Sequence, residues 1–140
     1  MVLLDRAPSV SPFELKNQIQ KLAWEKVGVI RSSSSLMEAL ASIQDIKEAL
    51  LPRVGCKAKE KEYNREWVEA IQAANLLTTL EAIAKSASER RESRGAHYRK
   101  DIPFPDDCNW LKNIVISNEN GEMTLEPVPV QGTRYSVPGN

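Results

Sequence analysis

The side chains best suited to chemistry lie close together in residues 92–110. They comprise the one histidine of the chain and four possible ligands or nucleophiles around it: His97, Asp101, Asp106, Asp107 and Cys108. A histidine with carboxylates could bind a metal ion, and a cysteine with a histidine could form a nucleophilic pair. Neither the ligand spacing of a metal site nor a local catalytic signature is present. The sequence therefore predicts no catalytic residue and no metal ligand.

Nucleotide and nucleic-acid binding are not indicated either. The six glycines stand alone, so no Gly-rich loop is available for the phosphates of a nucleotide cofactor. Residues 90–100 are basic, but Glu92 interrupts them, Glu89 and Asp101 flank them, and the formal net charge of the chain is zero. A nucleic-acid-binding protein usually carries an uninterrupted basic patch. We therefore expect no cofactor-binding residue in this chain and no nucleic-acid partner.

The high density of charged side chains in residues 92–101 still needs an explanation. Charged and ionisable side chains crowd residues 92–101, among them Glu92, Arg94, His97, Arg99 and Asp101. A helix end needs a cap and favours nearby cations, but it does not need so many charges of both signs. Two interpretations stay open, a solvated charged loop and a contact surface for a partner outside this chain.

Three amphipathic helices are predicted to position the segment. Apolar residues recur every three or four positions in residues 15–23, 36–50 and 67–87, which is the spacing of one helix face. Such helices cannot bury their apolar faces singly, but they can do so when they pack as an up-down-up bundle. The predicted fold class is therefore all-α, with the three-helix bundle at residues 11–95.

Local signals predict where these helices begin and end. Capping boxes that start at Ser11 and Ser35 mark the beginnings of the first two helices. Pro52 predicts that the second helix stops at Leu51, because proline disfavours a helical residue before it. Gly95 is predicted to end the third helix, at the position where the chain needs a left-handed residue.

The regions outside the bundle have a different character. Residues 1–10 are predicted to be a linker or a severed edge, and residues 96–140 a charged loop, a short β-hairpin and an extended tail. Asn120-Gly121 is a strong signal for the hairpin turn. The prolines at positions 127, 129 and 138 favour extended backbone after it.

Composition bears on the compartment and on possible interfaces. Cys56 and Cys108 lack metal-binding and redox spacing, which favours a reduced, cytoplasmic compartment. No stretch is long and apolar enough to span a bilayer, so direct membrane insertion is not predicted. Trp24 and Trp110 lie off the apolar helix faces, where large aromatic residues favour an interface.

Residues 92–110 read ESRGAHYRKDIPFPDDCNW. This run closely resembles the C-terminal signature ESRGAHxRxDxPxxDDxxW of the flavoprotein subunit of succinate dehydrogenase and fumarate reductase. Further resemblance at residues 24–31, 75–77 and 126–130 extends the similarity over about residues 14–130. L-aspartate oxidase shares this domain and is the alternative, but the intact DDxxW followed by a hairpin favours the succinate and fumarate branch. Asn113 departs from the family, which usually has histidine there.

The resemblance implies a spectrin-repeat-like three-helix bundle at the end of a much longer flavoprotein. In that family, hydride passes between succinate and FAD, and electrons pass to an iron–sulfur subunit, as part of the tricarboxylic acid cycle and electron transport. The flavin-binding and substrate-binding residues belong to other domains, and none maps onto this sequence. FAD is therefore expected in the parent protein and not in this chain, which is predicted to be inactive alone.

The resemblance also implies partners and a location. The partners are the flavin-binding and capping domains of the same protein and the iron–sulfur subunit, in a complex peripheral to the cytoplasmic face of the membrane. The residues expected to form the interface, by charge-assisted hydrogen bonds and aromatic contact, are Arg94, His97, Arg99, Asp101 and Trp110. The alternative from another class is a free-standing helical protein-interaction module that uses Trp24, Trp110 and the charged loop.

Overall fold

Three helices form the core of the computed structural model, which describes Leu4 and residues 9–131. Helix α1 spans Pro12–Val27, α2 spans Ser33–Asp45, and α3 spans Arg65–Glu89. The helices contact one another in pairs around one apolar core. Its largest fully buried apolar side chains include Leu15, Ile19, Leu36, Ile43 and Leu77. Each such side chain contributes about 1.5–3 kcal/mol by leaving water. The described part is mostly helical, as predicted.

The two predicted capping boxes are wrong in detail. Helix α1 begins at Pro12 as expected, but the Ser11 side chain makes no capping hydrogen bond. The capping box of α2 starts at Ser32 instead of Ser35. Ser32 Oγ accepts from the Ser35 N–H, and Ser35 Oγ accepts from the Ser32 N–H. Helix α2 therefore begins earlier than predicted, because Ser35 closes the box and does not open it.

Helical backbone continues past the predicted stop at Leu51. A π-helical turn, Ile46–Leu50, is followed by a 3₁₀ turn, Leu51–Arg53. Pro52 fits at the start of this short turn, where its missing N–H costs no hydrogen bond. After the turn, Val54 and Cys56 are fully buried and belong to the apolar core.

Helix α3 ends at Glu89 and does not reach Gly95, so the predicted end is wrong. Gly95, with φ of +58°, lies in a tight turn in which Arg94 and His97 exchange two backbone hydrogen bonds of 2.9 and 3.0 Å. The predicted left-handed glycine is therefore present, but it shapes this turn and not the helix end. The early end of α3 follows from the buried position of Glu92.

Two small sheets complete the fold. Strands β1, Ile30–Arg31, and β2, Tyr98–Arg99, form a parallel pair that the sequence did not predict. The short helix α4, Asp107–Trp110, leads into an antiparallel hairpin of β3, Lys112–Glu119, and β4, Glu122–Pro129. Its turn at Asn120 and Gly121 has positive φ at both residues, as predicted.

Parts of the predicted linker and tail lie outside the described residues. This holds for positions 1–3 and 5–8 and for positions 132–140, which include the predicted extended segment at Pro138. Ser9 and Val10 are described, and their N–H groups donate to the Arg53 carbonyl. In the part of the chain that is described, no helix is long and apolar enough to cross a membrane.

Candidate functional site

The charged residues singled out by the sequence meet at the junction of α3, the β1–β2 pair and the start of α2. Together with Arg31 and Arg90 they form a group that we call the arginine cluster, whose members are Arg31, Arg90, Arg94, His97, Arg99, Glu92 and Asp101. The cluster joins segments that are far apart in the sequence, because its hydrogen bonds run to Ser33 on one side and to Lys112 on the other.

Glu92 is the centre of the arginine cluster, and its side chain is fully buried. Oε1 accepts from Arg90 Nη1 and Arg94 Nε, and Oε2 accepts from Arg94 Nη2 and the backbone N–H of Asp106, at 2.5–2.9 Å. Burial would raise the pKa of Glu92, but these hydrogen bonds outweigh it and lower the pKa to about 2. Glu92 therefore stays ionised and fixes a non-helical backbone where the helix was predicted to continue.

Arg99 uses all five of its side-chain donors inside the chain. Its Nε and Nη2 atoms donate to the two oxygens of Asp101, at 3.0 and 2.8 Å. Nη1 donates to the carbonyls of Ala87 and Arg90, and Nη2 also donates to Ser33 Oγ. The Ala87 carbonyl belongs to the last turn of α3, where carbonyls lack helical partners. Arg99 therefore caps α3 and holds Asp101 in place.

Asp101 connects the arginine cluster to the start of α2. Its Oδ2 atom accepts from the backbone N–H of Ser33 at 3.1 Å and from the Ser33 hydroxyl at 2.5 Å. The hydrogen bond from Arg99 is the main cause that holds the pKa of Asp101 well below its usual value, and those from Ser33 add to it against the effect of burial. A negative charge at a helix N-terminus is stabilised by the helix dipole. Asp101 thus stabilises the end of α3 by holding Arg99, and the start of α2 by accepting from Ser33.

Arg31 and His97 form a second pair in the cluster. Arg31 Nε donates to the carbonyls of Val27 and Gly28 at the end of α1, and Arg31 Nη1 lies 2.7 Å from His97 Nδ1. Because arginine only donates, His97 Nδ1 must accept, which places the proton of the neutral ring on Nε2. Burial and then the charge of Arg31 lower the pKa of His97, and the Arg90 carbonyl partly offsets them. The imidazole is therefore neutral in this arrangement.

Arg90 attaches the chain after the cluster to the end of α3. It donates to the carbonyls of Trp110 and Lys112, and its guanidinium lies over the Trp110 ring, 5.4 Å from the ring centre. This cation–π contact adds to the hydrogen bonds. Trp110, predicted to face a partner, thus also packs on its own chain.

Ser93 fixes the proline-containing loop that follows β2. The buried Ser93 hydroxyl donates to the Ile102 carbonyl at 2.7 Å and accepts from the Arg99 N–H, while the Ser93 N–H donates to the Phe104 carbonyl. The loop is held, yet it leaves the Phe104 ring 76% exposed.

The five residues predicted to form an interface differ in exposure. Arg99 is buried, His97 and Trp110 are half-buried, Asp101 is exposed overall, and the Arg94 side chain is 37% exposed. Arg94 also pairs with the exposed Asp107. The charge-assisted hydrogen bonds expected to reach a partner are thus made within the chain, and the interface role of these residues stays a prediction.

Sequence reasoning missed the central role of Glu92 and the contributions of Arg31 and Arg90. One signal was available, because Arg90, Glu92 and Arg94 alternate at every second position. Residues two apart share a face in extended backbone and not in a helix. No comparable signal marks Arg31, whose contact with His97 is 66 positions away in the sequence.

The geometry of the cluster suits structural support better than catalysis. Its two carboxylates accept several hydrogen bonds each, and their pKa values are lowered, whereas a general acid or base works best with a pKa near the working pH. Among the described residues, no group of three or more His, Cys, Asp or Glu could hold a metal ion.

An open groove of about 360 Å³ lies beside the cluster, between α3 and the hairpin. Apolar side chains of α3 and β3 form its walls: Ala82, Ile83, Ala87, Ile114 and Ile116. Arg31, Arg90 and His97 line it at the end nearest the C-terminus of α3. The groove is therefore apolar along its length and basic at one end.

Comparison with known proteins gives consistent matches. A family model described as "Fumarate reductase flavoprotein C-term" matches residues 16–139. The fumarate reductase flavoprotein subunit of Haemophilus influenzae is 32% identical over 122 residues, which cover 86% of this chain and 20% of that protein. The chloroplastic L-aspartate oxidase of Oryza sativa subsp. japonica is 29% identical over 121 residues, covering 84% and 18% respectively.

A solved structure agrees with these matches. The Mycobacterium smegmatis Sdh1 complex in the apo form contains a chain with a TM-score of 0.78 and 30% identity, covering 96% of this chain and 23% of that one. The chain spans about a fifth of the length of the curated relatives that it matches.

Proposed function

Because the chain belongs to the family of fumarate reductase flavoprotein C-terminal domains, we propose that it is the structural C-terminal domain of a flavoprotein that interconverts succinate and fumarate. The observation that carries the proposal is that the family signature and the arginine cluster coincide. Within the signature, Glu92, Arg94, Arg99 and Asp101 make the ion pairs of the cluster. The signature therefore describes how this domain is held together.

The residues of this chain do not fit a flavin dinucleotide. A dinucleotide site needs a Gly-rich turn at a helix N-terminus, and the glycines here stand alone. The donors of Arg99 and the carboxylates of the cluster are occupied within the chain. FAD, which accepts the hydride in such flavoproteins, therefore belongs to the remainder of the protein in this proposal.

The proposed helix arrangement is the up-down-up, spectrin-repeat-like bundle of the family. An ion pair between Lys16 of α1 and Glu69 of α3 joins the first halves of both helices, which suits parallel α1 and α3. Lys26 near the end of α1 pairs with Glu38 in the first half of α2, which suits antiparallel neighbours. These pairs support the arrangement.

The proposed partners are the flavin-binding and capping domains and an iron–sulfur subunit, in a complex peripheral to the cytoplasmic face of the membrane. Arg94, His97, Arg99, Asp101 and Trp110 would serve the interface with them mainly by fixing the backbone of residues 90–110. The partly exposed Arg94 and Trp110 would add direct contacts. Support comes from the internal hydrogen bonds of Arg99 and Asp101, which leave them little capacity for a partner.

A second candidate is the C-terminal domain of an L-aspartate oxidase, because the match to the rice protein covers 84% of this chain. The same domain would then support oxidation of L-aspartate instead of succinate. The cluster fits both candidates equally, since none of its residues is proposed to touch the substrate.

The test is to purify this chain alone and in the complete flavoprotein, and to measure flavin absorbance and turnover of succinate, fumarate and L-aspartate. We expect no flavin and no turnover with the chain alone, and flavin with succinate and fumarate turnover in the complete protein. If the complete protein turns over L-aspartate but neither succinate nor fumarate, that result would select the second candidate. Flavin bound by the isolated chain would contradict both.

A further inference from the structure

Arg31 differs from the other arginines of the cluster in its partners. The other three each pair with a carboxylate. Arg31 instead bonds two backbone carbonyls and His97 Nδ1, and among the described residues it has no anionic partner. Burial lowers the pKa of Arg31 with no nearby anion to offset it. A partly buried cation destabilises a protein unless an anion meets it. The position of Arg31 therefore calls for a negative charge that the described chain does not supply.

The guanidinium of Arg31 has donors left for that charge. Nε is occupied by the two carbonyls, and one hydrogen of Nη1 by His97. Nη2 makes no hydrogen bond with any described residue. Nη2 therefore has two hydrogens with which it can donate to the oxygen of a carboxylate.

The groove beside Arg31 indicates that the group next to the carboxylate is small and apolar. Its walls are the aliphatic side chains of Ala82, Ile83, Ile114 and Ile116, and Ile83 and Ile116 are partly exposed to water. Apolar walls strengthen an ion pair at the basic end, because they lower the local dielectric constant. The volume is at the lower end of the range for ligand sites and suits a short segment or a small group.

We infer that an Asp or Glu side chain from the flavin-bearing remainder of the flavoprotein enters this groove and pairs with Arg31. The inference rests on the proposed function, under which a protein about five times as long as its C-terminal domain surrounds that domain. An acidic residue flanked by apolar ones complements a groove with apolar walls and one unpaired cation. Arg31 is then a positioning residue that joins the domain to the rest of the protein.

The first experiment tests the site on this chain alone, with hexanoate as the probe and hexanol as its uncharged match. Binding is followed by NMR shifts of the Ile83, Ile114 and Ile116 methyl groups. We expect hexanoate to bind at least tenfold more tightly than hexanol. Arg31→Gln should abolish that preference, while Arg91→Gln, at an exposed arginine, should keep it. Equal binding of the two probes, or an unchanged preference in Arg31→Gln, overturns the carboxylate site.

A second variant guards against misfolding, because Arg31 also caps α1. Ile83→Glu leaves Arg31 in place and introduces a competing carboxylate on the groove wall. It should reduce hexanoate affinity at least tenfold while the hydrogen-exchange protection of α1 stays unchanged. Undiminished hexanoate binding in this variant contradicts the assignment of the groove.

The second experiment identifies the source of the carboxylate in the complete flavoprotein. If the remainder of the protein fills the groove, hexanoate should no longer shift the groove methyl groups. Arg31→Gln should also speed release of this domain in limited proteolysis at least fivefold, and Arg91→Gln should not. Hexanoate binding to the complete protein as it binds to the isolated chain would show an open groove and overturn the proposed occupant. Neither readout depends on which substrate is turned over, so this outcome is separate from a failure of the proposed function.

Discussion

Residues 90–110 and the β3–β4 hairpin are adjacent in the sequence, but different kinds of hydrogen bond hold them in place. The first segment has little regular structure, yet Glu92, Ser93 and Arg99 are buried and saturated with hydrogen bonds. The hairpin has an unbroken ladder of eight residue pairs, but none of its residues is buried. Regular backbone pairing stabilises the hairpin within itself, whereas buried polar contacts between segments anchor residues 90–110 to the helices.

The strongest test of this comparison is Glu92→Ala. The substitution leaves the guanidinium groups of Arg90 and Arg94 and the Asp106 N–H without their buried acceptor. We expect the free energy of unfolding to fall by about 3–5 kcal/mol, as for other buried ion pairs broken from one side. Urea denaturation followed by circular dichroism measures this loss.

Asp107→Asn is the matched control, because Asp107 also pairs with Arg94 but its side chain is 76% exposed. The free energy of unfolding should change by no more than about 0.5 kcal/mol, since exposed ion pairs contribute little. Similar losses in the two variants would show that burial does not decide the strength of the cluster.

The second test lowers the pH, because residues 90–110, the anchored segment, depend on the buried and ionised carboxylate of Glu92. The pKa of Glu92 is about 2 in the folded chain and about 4.3 in an unfolded one. A lowered folded-state pKa contributes stability above the unfolded-state value, and that stability is lost as the pH falls from about 5 towards 2. The free energy of unfolding should fall by about 2–3 kcal/mol from this residue over that range.

Urea titrations at several pH values check the acid prediction, with Glu92→Gln as the comparison. The amide cannot lose or gain the proton, so the variant should show a flatter dependence between pH 5 and 2. The same slope in wild type and variant would assign the acid sensitivity to other carboxylates, of which Asp101 is the first candidate because its pKa is also lowered.

Smaller effects than those of Glu92→Ala and of acid are expected at the two turn glycines. Gly95 and Gly121 both have positive φ, at +58° and +92°, and an added Cβ would meet no atom within 4 Å at either site. Alanine should therefore cost about 1–2 kcal/mol of backbone strain at each position. Only Gly95→Ala should lower the global free energy of unfolding, because its turn belongs to the anchored segment.

Hydrogen exchange separates the two glycine variants. Gly121→Ala should reduce protection of the β3 and β4 amides while the helix amides and the urea midpoint stay unchanged. A fall in global stability equal to that of Gly95→Ala would mean that the hairpin is as firmly anchored as the cluster, and the contrast between the two regions would fail.

The sequence predicted the parts of the fold that depend on local spacing. Apolar periodicity located the three helices, and Asn120-Gly121 located the hairpin turn. The end of α3 was not predictable in this way, because the arginine-rich segment has high helix propensity and only the burial of Glu92 overrides it. The start of α2 was ambiguous among four consecutive serines, and the hydrogen bonds between Ser33 and Asp101 hold the register that is observed.

The candidate site was found by its density of charge, and its internal contacts were not. Periodicity says nothing about partners in distant segments, so Arg31 gave no sign of meeting His97. Charged residues were taken to be exposed, which is the usual outcome for unpaired side chains. Arg99 departs from that rule because Asp101, Ser33 and two carbonyls satisfy all its donors.

The parallel pairing of β1 with β2 has a consequence for the order of folding. Ile30 and Tyr98 meet across 68 positions of sequence, and Ser33 and Asp101 span the same distance. Closing so large a loop costs more chain entropy than forming helices or a hairpin, whose contacts are local and form within microseconds. We expect the junction to assemble late, after the helices have collapsed. During synthesis, Arg31 can bond the Val27 and Gly28 carbonyls at once, but its contact with His97 can form only after residue 97 has emerged from the ribosome.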